Sequence, residues 1–310
     1  MSSDQYNALQ EKLAQSRFCD VSMLGELECI SVTHPDFSAR LLTQGAQLLN
    51  FCVQGQDWIW LSEDAEYKRG ISVRGGIPVC WPWFGDAKKN PQAVNDHIRS
   101  QQPPAHGLAR SSDWQLKDCQ ETDSEVVLTL TLALVPSENW NTEVSAELRI
   151  SFSATTLRLQ LTTTAGDEAV NFTQALHTYF PTTDIHQTRI GGFDKQAYID
   201  ALDEWSEKVQ QGRVEFMAET DRIYQVPGAI TLETPTQTLL LKGNNRTAVV
   251  WNPWIEKSTR LGQFADDAWQ RMFCVESANV LNDAVHLQPG QSHTLEMVLS
   301  PAPGSGNQTK

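Results

Sequence analysis

Four stretches of the chain carry side chains able to move a proton or hold an anion. His177 lies inside the apolar-aromatic run Gln174-Ala175-Leu176-His177-Thr178-Tyr179-Phe180. If Leu176 and Thr178 point one way from a strand, His177 points the other way, beside Ala175 and Tyr179. Glu276 ends the apolar run Phe273-Cys274-Val275-Glu276. Imidazole exchanges protons near neutrality, and a carboxylate set in an apolar strand needs a partner or a task. His106 and Arg110 stand four positions apart across Gly107, and Asp221 sits in Glu219-Thr220-Asp221-Arg222-Ile223-Tyr224. Singly, each has a plain reading: a core or loop histidine, a strand-end carboxylate facing water, a solvated arginine, a loop acid.

Around them the densest stretch is Val73-Arg74-Gly75-Gly76-Ile77-Pro78-Val79-Cys80-Trp81-Pro82-Trp83-Phe84-Gly85. Glycine lets backbone come close to a ligand, and proline removes ladder hydrogen bonds. The composition predicts a rigid, irregular wall rather than a strand. Its aromatic rings offer flat faces suited to the C–H faces of a sugar. The plainer alternative is a buried loop closing one end of a β-fold. Residues 86–104, polar and proline-bearing, are expected to form a long loop beside it.

These residues need a scaffold, and its period is two. Leucines 128, 130, 132 and 134 alternate with Thr129, Thr131 and Ala133. Ala146, Leu148, Ile150 and Phe152 alternate with Glu147, Arg149 and Ser151, and 157–161 continues the pattern. Such alternation predicts antiparallel sheet with one face buried, and 146–152 and 157–161 should form a hairpin. Further strands are expected at 29–32, 48–53, 58–61, 188–193, 212–216, 229–233, 237–242, 247–251, 272–276 and 293–299. One short helix is expected at 4–16. Strands at short spacing imply an all-β sandwich or barrel. Neither a repeat nor an internal linker interrupts residues 1–310, so one domain is expected. Its core spans about 20–300, and 301–310 is read as a disordered tail.

Composition narrows the function. With 24 basic and 38 acidic residues the formal net charge is −14, which argues against nucleic acid and anionic membranes as partners. A small anionic substrate remains open, because it responds to local charge. The six cysteines form no CxxC pair and no zinc-like spacing with histidine, so no metal is expected. No signal-peptide pattern and no spanning apolar run is seen, making the cytoplasm the expected compartment.

The motifs also occur in a telling order: Arg-Gly-Gly-Ile-Pro with Trp-Pro-Trp-Phe-Gly, Pro-x-His-Gly-Leu-Ala-Arg, Leu-His-Thr-Tyr-Phe, Thr-Asp-Arg-Ile-Tyr, Val-Glu. This series resembles the hexose-6-phosphate mutarotases (glucose-6-phosphate 1-epimerases) of the aldose 1-epimerase superfamily, over about residues 20–300. The resemblance implies a large antiparallel β-supersandwich of the galactose-mutarotase type. It further implies interconversion of the α and β anomers of a hexose 6-phosphate, without a cofactor. His177 becomes the general acid and Glu276 the general base, with proximity expected to raise the histidine pKa. Arg74, His106, Arg110 and Asp221 become substrate-binding. Ala105 departs from the pattern: some relatives have a substrate-touching glutamine there. Residues 257–267 match nothing in the family pattern. Expected partners are a sugar phosphate alone, with the chain monomeric or weakly oligomeric. The alternatives are a mutarotase of unphosphorylated aldoses and a non-catalytic carbohydrate-binding protein.

Overall fold

The structure, a computed structural model, describes residues 3–226 and 228–303. Period-two alternation is realised most fully in Leu157–Ala165, where every odd-numbered residue is buried and every even-numbered one is partly exposed. It pairs antiparallel with Val144–Ser153 on one side, as the expected hairpin, and with Ser292–Pro301 on the other. Among the described residues, nine strands form the sheet that contains these three, with Glu125–Leu134 and Gln115–Glu121 at one edge. A five-stranded sheet is built from Cys19–Leu24, Leu27–Thr33, Phe37–Leu42, Leu48–Val53 and Gln56–Asp57. The fold is all-β, as expected. Its few helices are short, and the N-terminal one runs Ser3–Leu13. No helix of the described residues is long and apolar enough to cross a membrane.

The third large sheet positions the site. Its order is Ser206–Val209, Ala197–Asp200, Thr220–Gln225, Thr247–Asn252, Met272–Asn279, Gln174–Leu176, Val79–Cys80, with Tyr179–Pro181 pairing farther along Met272–Asn279. All these pairings are antiparallel. One face carries Leu176, Phe180, Val250, Phe273 and Val275. They share one apolar core with Leu157, Leu159, Leu161 and Met297 of the nine-stranded sheet. Fully burying a side chain of this size stabilises by ~1.5–3 kcal/mol, so this two-sheet interface is the main source of rigidity. The opposite face holds Ala175, Tyr179, Ile223, Val249, Trp251 and Cys274. All eight residues of Met272–Asn279 are buried, because loops cover that second face.

Several expectations need correction. Residues 58–61 are not a strand: the segment bends and makes an isolated bridge at Leu61 with Gly75. Trp58 and Trp60 are buried there by aromatic packing rather than by a ladder. The 188–193 and 212–216 strands shrink to Arg189–Gly191 and Val214–Glu215. The Val73–Gly85 wall is not wholly irregular, since Val79–Cys80 joins the site sheet beside Gln174–Leu176. Residues 86–104 fold partly into short helical turns, Ala87–Lys89 and Gln92–Asn95. Pro301 ends a strand opposite Leu239, so it is no part of a tail. The remaining tail expectation falls largely on 304–310, outside the described residues.

Candidate active site

The sheet register brings the acid and base candidates together. Leu176 pairs with Ser277 and Tyr179 with Cys274 across the same two chain segments. In that shared register residue 177 falls opposite 276. The ladder is open at this point. His177 N–H donates to Pro78 O at 3.0 Å, and Thr178 N–H donates to Leu176 O at 2.9 Å. His177 therefore does not lie inside a continuous strand, as the sequence suggested, but at the break between two. Its ring is turned to the second face, where Nε2 is 3.5 Å from Glu276 Oε1. Leu176 and Thr178 point into the main core, as alternation requires.

A cavity of about 390 Å³ opens over this pair. Its floor is the sheet face: His177, Tyr179, Asp221, Ile223, Val249, Trp251 and Glu276. Asp221 arrives through pairing with Trp251, and Glu276 through pairing with Val249. The rim comes from loops and short helical turns, with Arg74, Phe84, Lys89, His106, Trp205 and Lys257 as its chemically pointed members. This volume lies within the range of small-molecule sites.

His106 rests on unusual backbone. Its φ is +66° and that of Gly107 is +77°. The segment is bound to the aromatic stretch on both sides: His106 N–H donates to Gly85 O at 2.9 Å, and Leu108 N–H donates to Trp81 O at 2.9 Å. The His106 ring accepts from Gly85 N–H through Nδ1 at 3.3 Å and lies edge-on to His177, centroids 5.6 Å apart. Arg74 reaches the cavity with Nη1 3.4 Å from Tyr179 Oη and Nε 3.4 Å from Gly262 O. Tyr179 in turn stacks on His177 at 4.9 Å. Arg110 is the outlier: it is not part of the cavity wall, and its Nη2 donates to Ala105 O at 2.6 Å.

The electrostatics run against the expectation that the histidine pKa is raised. Burial drives His177 well below the usual imidazole value, and the nearby His106 and the charges of Arg110 and Arg74 add to the effect. Burial holds Glu276 well above the carboxylate range, with Asp221 contributing. His106 is lowered to about 3 by burial, then by Arg110 and Arg74. Asp221 is raised to about 6, chiefly by burial, with Lys257 opposing. Burial thus disfavours charge on both members of the facing pair. His177 Nδ1 and Glu276 Oε2 are buried without a hydrogen-bond partner. Each such orphan is costly, and polar groups of a ligand would relieve it.

The aromatic wall is not where the sequence placed it. Trp81 and Trp83 are fully buried. Trp81 Nε1 donates to Thr163 Oγ1 at 3.0 Å, while Trp83 stacks on Trp140 at 6.0 Å. Of the three aromatics in the motif, only Phe84 lines the cavity; the other rings there are Tyr179, Trp205 and Trp251. Sequence reasoning missed Lys89, Trp205, Trp251 and Lys257. Lys89 Nζ sits 4.8 Å above the Trp205 ring, and Lys257 Nζ bonds Glu219 Oε1 at 2.9 Å. Trp205 had one usable signal: a large apolar residue in the polar run Asp203-Glu204-Trp205-Ser206.

Comparison with known proteins places this cavity in context. The sequence signature of the aldose 1-epimerase family matches residues 28–300. An Escherichia coli K12 protein provisionally named glucose-6-phosphate 1-epimerase is 33% identical over 265 residues, covering 82% of this chain and 84% of its own. A crystal structure of a Salmonella typhimurium protein provisionally described as a mutarotase superposes with a TM-score of 0.82 at 28% identity, covering 93% and 95% of the two chains. A galactose mutarotase related enzyme from Lactobacillus acidophilus, at 12% identity, shares the fold with a TM-score of 0.70 over 90% and 99%.

Proposed function

The chain belongs to the aldose 1-epimerase family, and from that premise we propose that it interconverts the α and β anomers of a hexose 6-phosphate, glucose 6-phosphate foremost. The observation that carries this reading is the His177–Glu276 pair, 3.5 Å apart and aimed into one cavity. Glu276 is the general base and takes the C1 hydroxyl proton; His177 is the general acid and protonates the ring oxygen. The ring opens to the aldehyde, the C1–C2 bond rotates, and the same two transfers in reverse close the other anomer. Each positioned group typically supplies on the order of 10²–10⁴-fold.

The proton count fits a buried pair. Ionised carboxylate plus imidazolium, and neutral carboxyl plus neutral imidazole, hold the same single proton between them. The closed sugar faces the first form and the open aldehyde the second. Burial favours the second. Sugar hydroxyls then supply the partners that Glu276 Oε2 and His177 Nδ1 lack.

Asp221 and His106 hold sugar hydroxyls, with neutral His106 able to accept or donate. Arg74 takes the phosphate, assisted by Lys89 and Lys257 at the rim. Arg110 joins by exchanging the Ala105 carbonyl for a phosphate oxygen. Arginine suits that task because its planar fork binds phosphate bidentately. The test is exchange between the two anomeric C1–H signals by NMR, run with glucose 6-phosphate and with glucose. Fast catalysed exchange of the phosphate ester, and much slower exchange of glucose, is expected. Equal catalysis of both sugars would favour a mutarotase of unphosphorylated aldoses, and binding without exchange a carbohydrate-binding protein.

A further inference from the structure

Remote from the cavity residues in the fold, strands Cys19–Leu24 and Gln115–Glu121 bring together Cys19, Cys119 and Glu121. One sulfur or oxygen atom from each lies within 4.8 Å of the others. Nothing in the linear order hints at this, since the two cysteines stand a hundred positions apart. From this cluster we infer a binding site for a thiophilic divalent cation, of which zinc is the representative, tying the five-stranded sheet to the edge of the nine-stranded sheet.

The first support is a distance. Cys19 Sγ and Cys119 Sγ are 3.8 Å apart. That is far beyond a disulfide bond of ~2.05 Å. Two thiolates on one tetrahedral zinc, each bonded at ~2.3 Å, stand about 3.8 Å apart. The second support is a preset carboxylate. Glu121 Oε2 accepts from Arg17 N–H at 2.8 Å, and Oε1 accepts from Phe18 N–H at 3.1 Å and from the Ser16 hydroxyl. Ser16 Oγ also accepts from Cys19 N–H at 2.7 Å. The turn before Cys19 thus orients both the carboxylate and one cysteine, leaving Oε2 a free lone pair. Such outer bonds are what fix metal ligands in place. The third support is access. Cys19 is buried but lines a surface groove with Ser16 and Arg17, and Cys119 and Glu121 are only half-buried.

Three protein ligands leave a fourth tetrahedral position for water. Binding replaces two S–H bonds by two metal–sulfur bonds and releases two protons to the buffer, so affinity falls as pH falls. An ion that binds only the folded chain raises its melting temperature.

The experiment strips the purified full-length protein with a chelator under a non-thiol reductant and then titrates cobalt(II), followed by zinc(II). One equivalent of cobalt should give a near-ultraviolet thiolate-to-cobalt charge-transfer band that zinc abolishes, and zinc should raise the melting temperature. C19S and C119S should each lose the band, while E121Q should weaken binding about tenfold or more. Wild-type protein that gives no thiolate band after reduction overturns the inference. So does a band that survives in either cysteine variant, because the thiolates would then lie elsewhere.

Discussion

Arg74 and Asp221 sit on the same cavity yet face opposite electrostatic problems, and each makes a separable prediction. The net charge of −14 repels a phosphate dianion at long range. Attraction must therefore be local, where screening is weak. A charge-assisted contact is worth ~1.5–3 kcal/mol, roughly ten- to a hundredfold in affinity. Arg74→Ala should lower kcat/KM for glucose 6-phosphate by about that factor while barely touching glucose, and Arg74→Lys should recover part of the loss. Equal losses for both sugars would make Arg74 a support of the Tyr179 ring instead. Asp221 is a half-buried acid whose pKa is raised to about 6. Its folded value exceeds its unfolded one, so the folded state binds the proton more tightly. The group's contribution to stability is greatest below about pH 4, declines as pH rises to about 6, and is level above. Asp221→Asn should then stabilise the protein at pH 7 in the absence of substrate, by about 3 kcal/mol at most, with the gain vanishing near pH 4. If ionised Asp221 holds a sugar hydroxyl, kcat/KM should fall as pH drops through about 6, and the variant should lack that limb. A limb that persists in the variant would belong to another group. The residue identities were legible because motif order names them. The penalty that burial puts on charge at His177 and Glu276 was not, since it depends on how completely loops cover the face, and no local pattern encodes that.

One turn of backbone carries His106 to the site. Gly107 has a φ of +77°, and a Cβ placed there would lie 2.3 Å from Trp81 O. Gly85, its neighbour across the segment, has a φ of +62°, but a Cβ added to it would meet nothing within 4 Å. A left-handed conformation alone costs about 1–2 kcal/mol for a residue with a side chain. Gly85→Ala should cost about that, whereas Gly107→Ala should cost more and also lose turnover, because it must break the Trp81 hydrogen bonds that hold His106. Thermal melts beside kcat measurements separate the two. Equal melts and equal activity would show that the Trp81–Gly107 bridge does not fix the site. At this scale strands 144–153 and 157–165 were readable, since one face of each packs on the core and the other is wetter, and 125–134 was readable from its alternating leucines although 126–130 are all buried. The 58–61 segment was misread because Trp58 and Trp60 are buried by ring packing, which mimics the strand pattern. The break at His177 was unreadable because it comes from two backbone bonds, to Pro78 and Leu176, rather than from a turn residue.

The whole molecule separates rigidity from chemistry. One face of the site sheet shares its core with the nine-stranded sheet, and the other face holds the cavity, so acid and base stand on a floor fixed from behind. The all-β architecture was legible from period two. The division into sheets was not, because it depends on pairings such as Val79–Cys80 with Gln174–Leu176, nearly a hundred residues apart. Ring opening by the facing pair needs proton transfer alone, so chelation should leave kcat unchanged even where it lowers the melting temperature through Cys19 and Cys119. Activity lost on chelation and restored by one particular divalent ion would contradict that. The central claim is that His177 and Glu276 move the proton, and anomer exchange in two conservative variants tests it most directly. Exchange of glucose 6-phosphate anomers should be measured by NMR in wild type, Glu276→Gln and His177→Asn, with the spontaneous rate subtracted and binding titrated alongside. Both variants should bind the sugar phosphate within about tenfold of wild type and lose at least about a hundredfold in catalysed exchange. Near-normal exchange in either variant, with the fold intact, would contradict the assignment of that residue and with it the acid–base account.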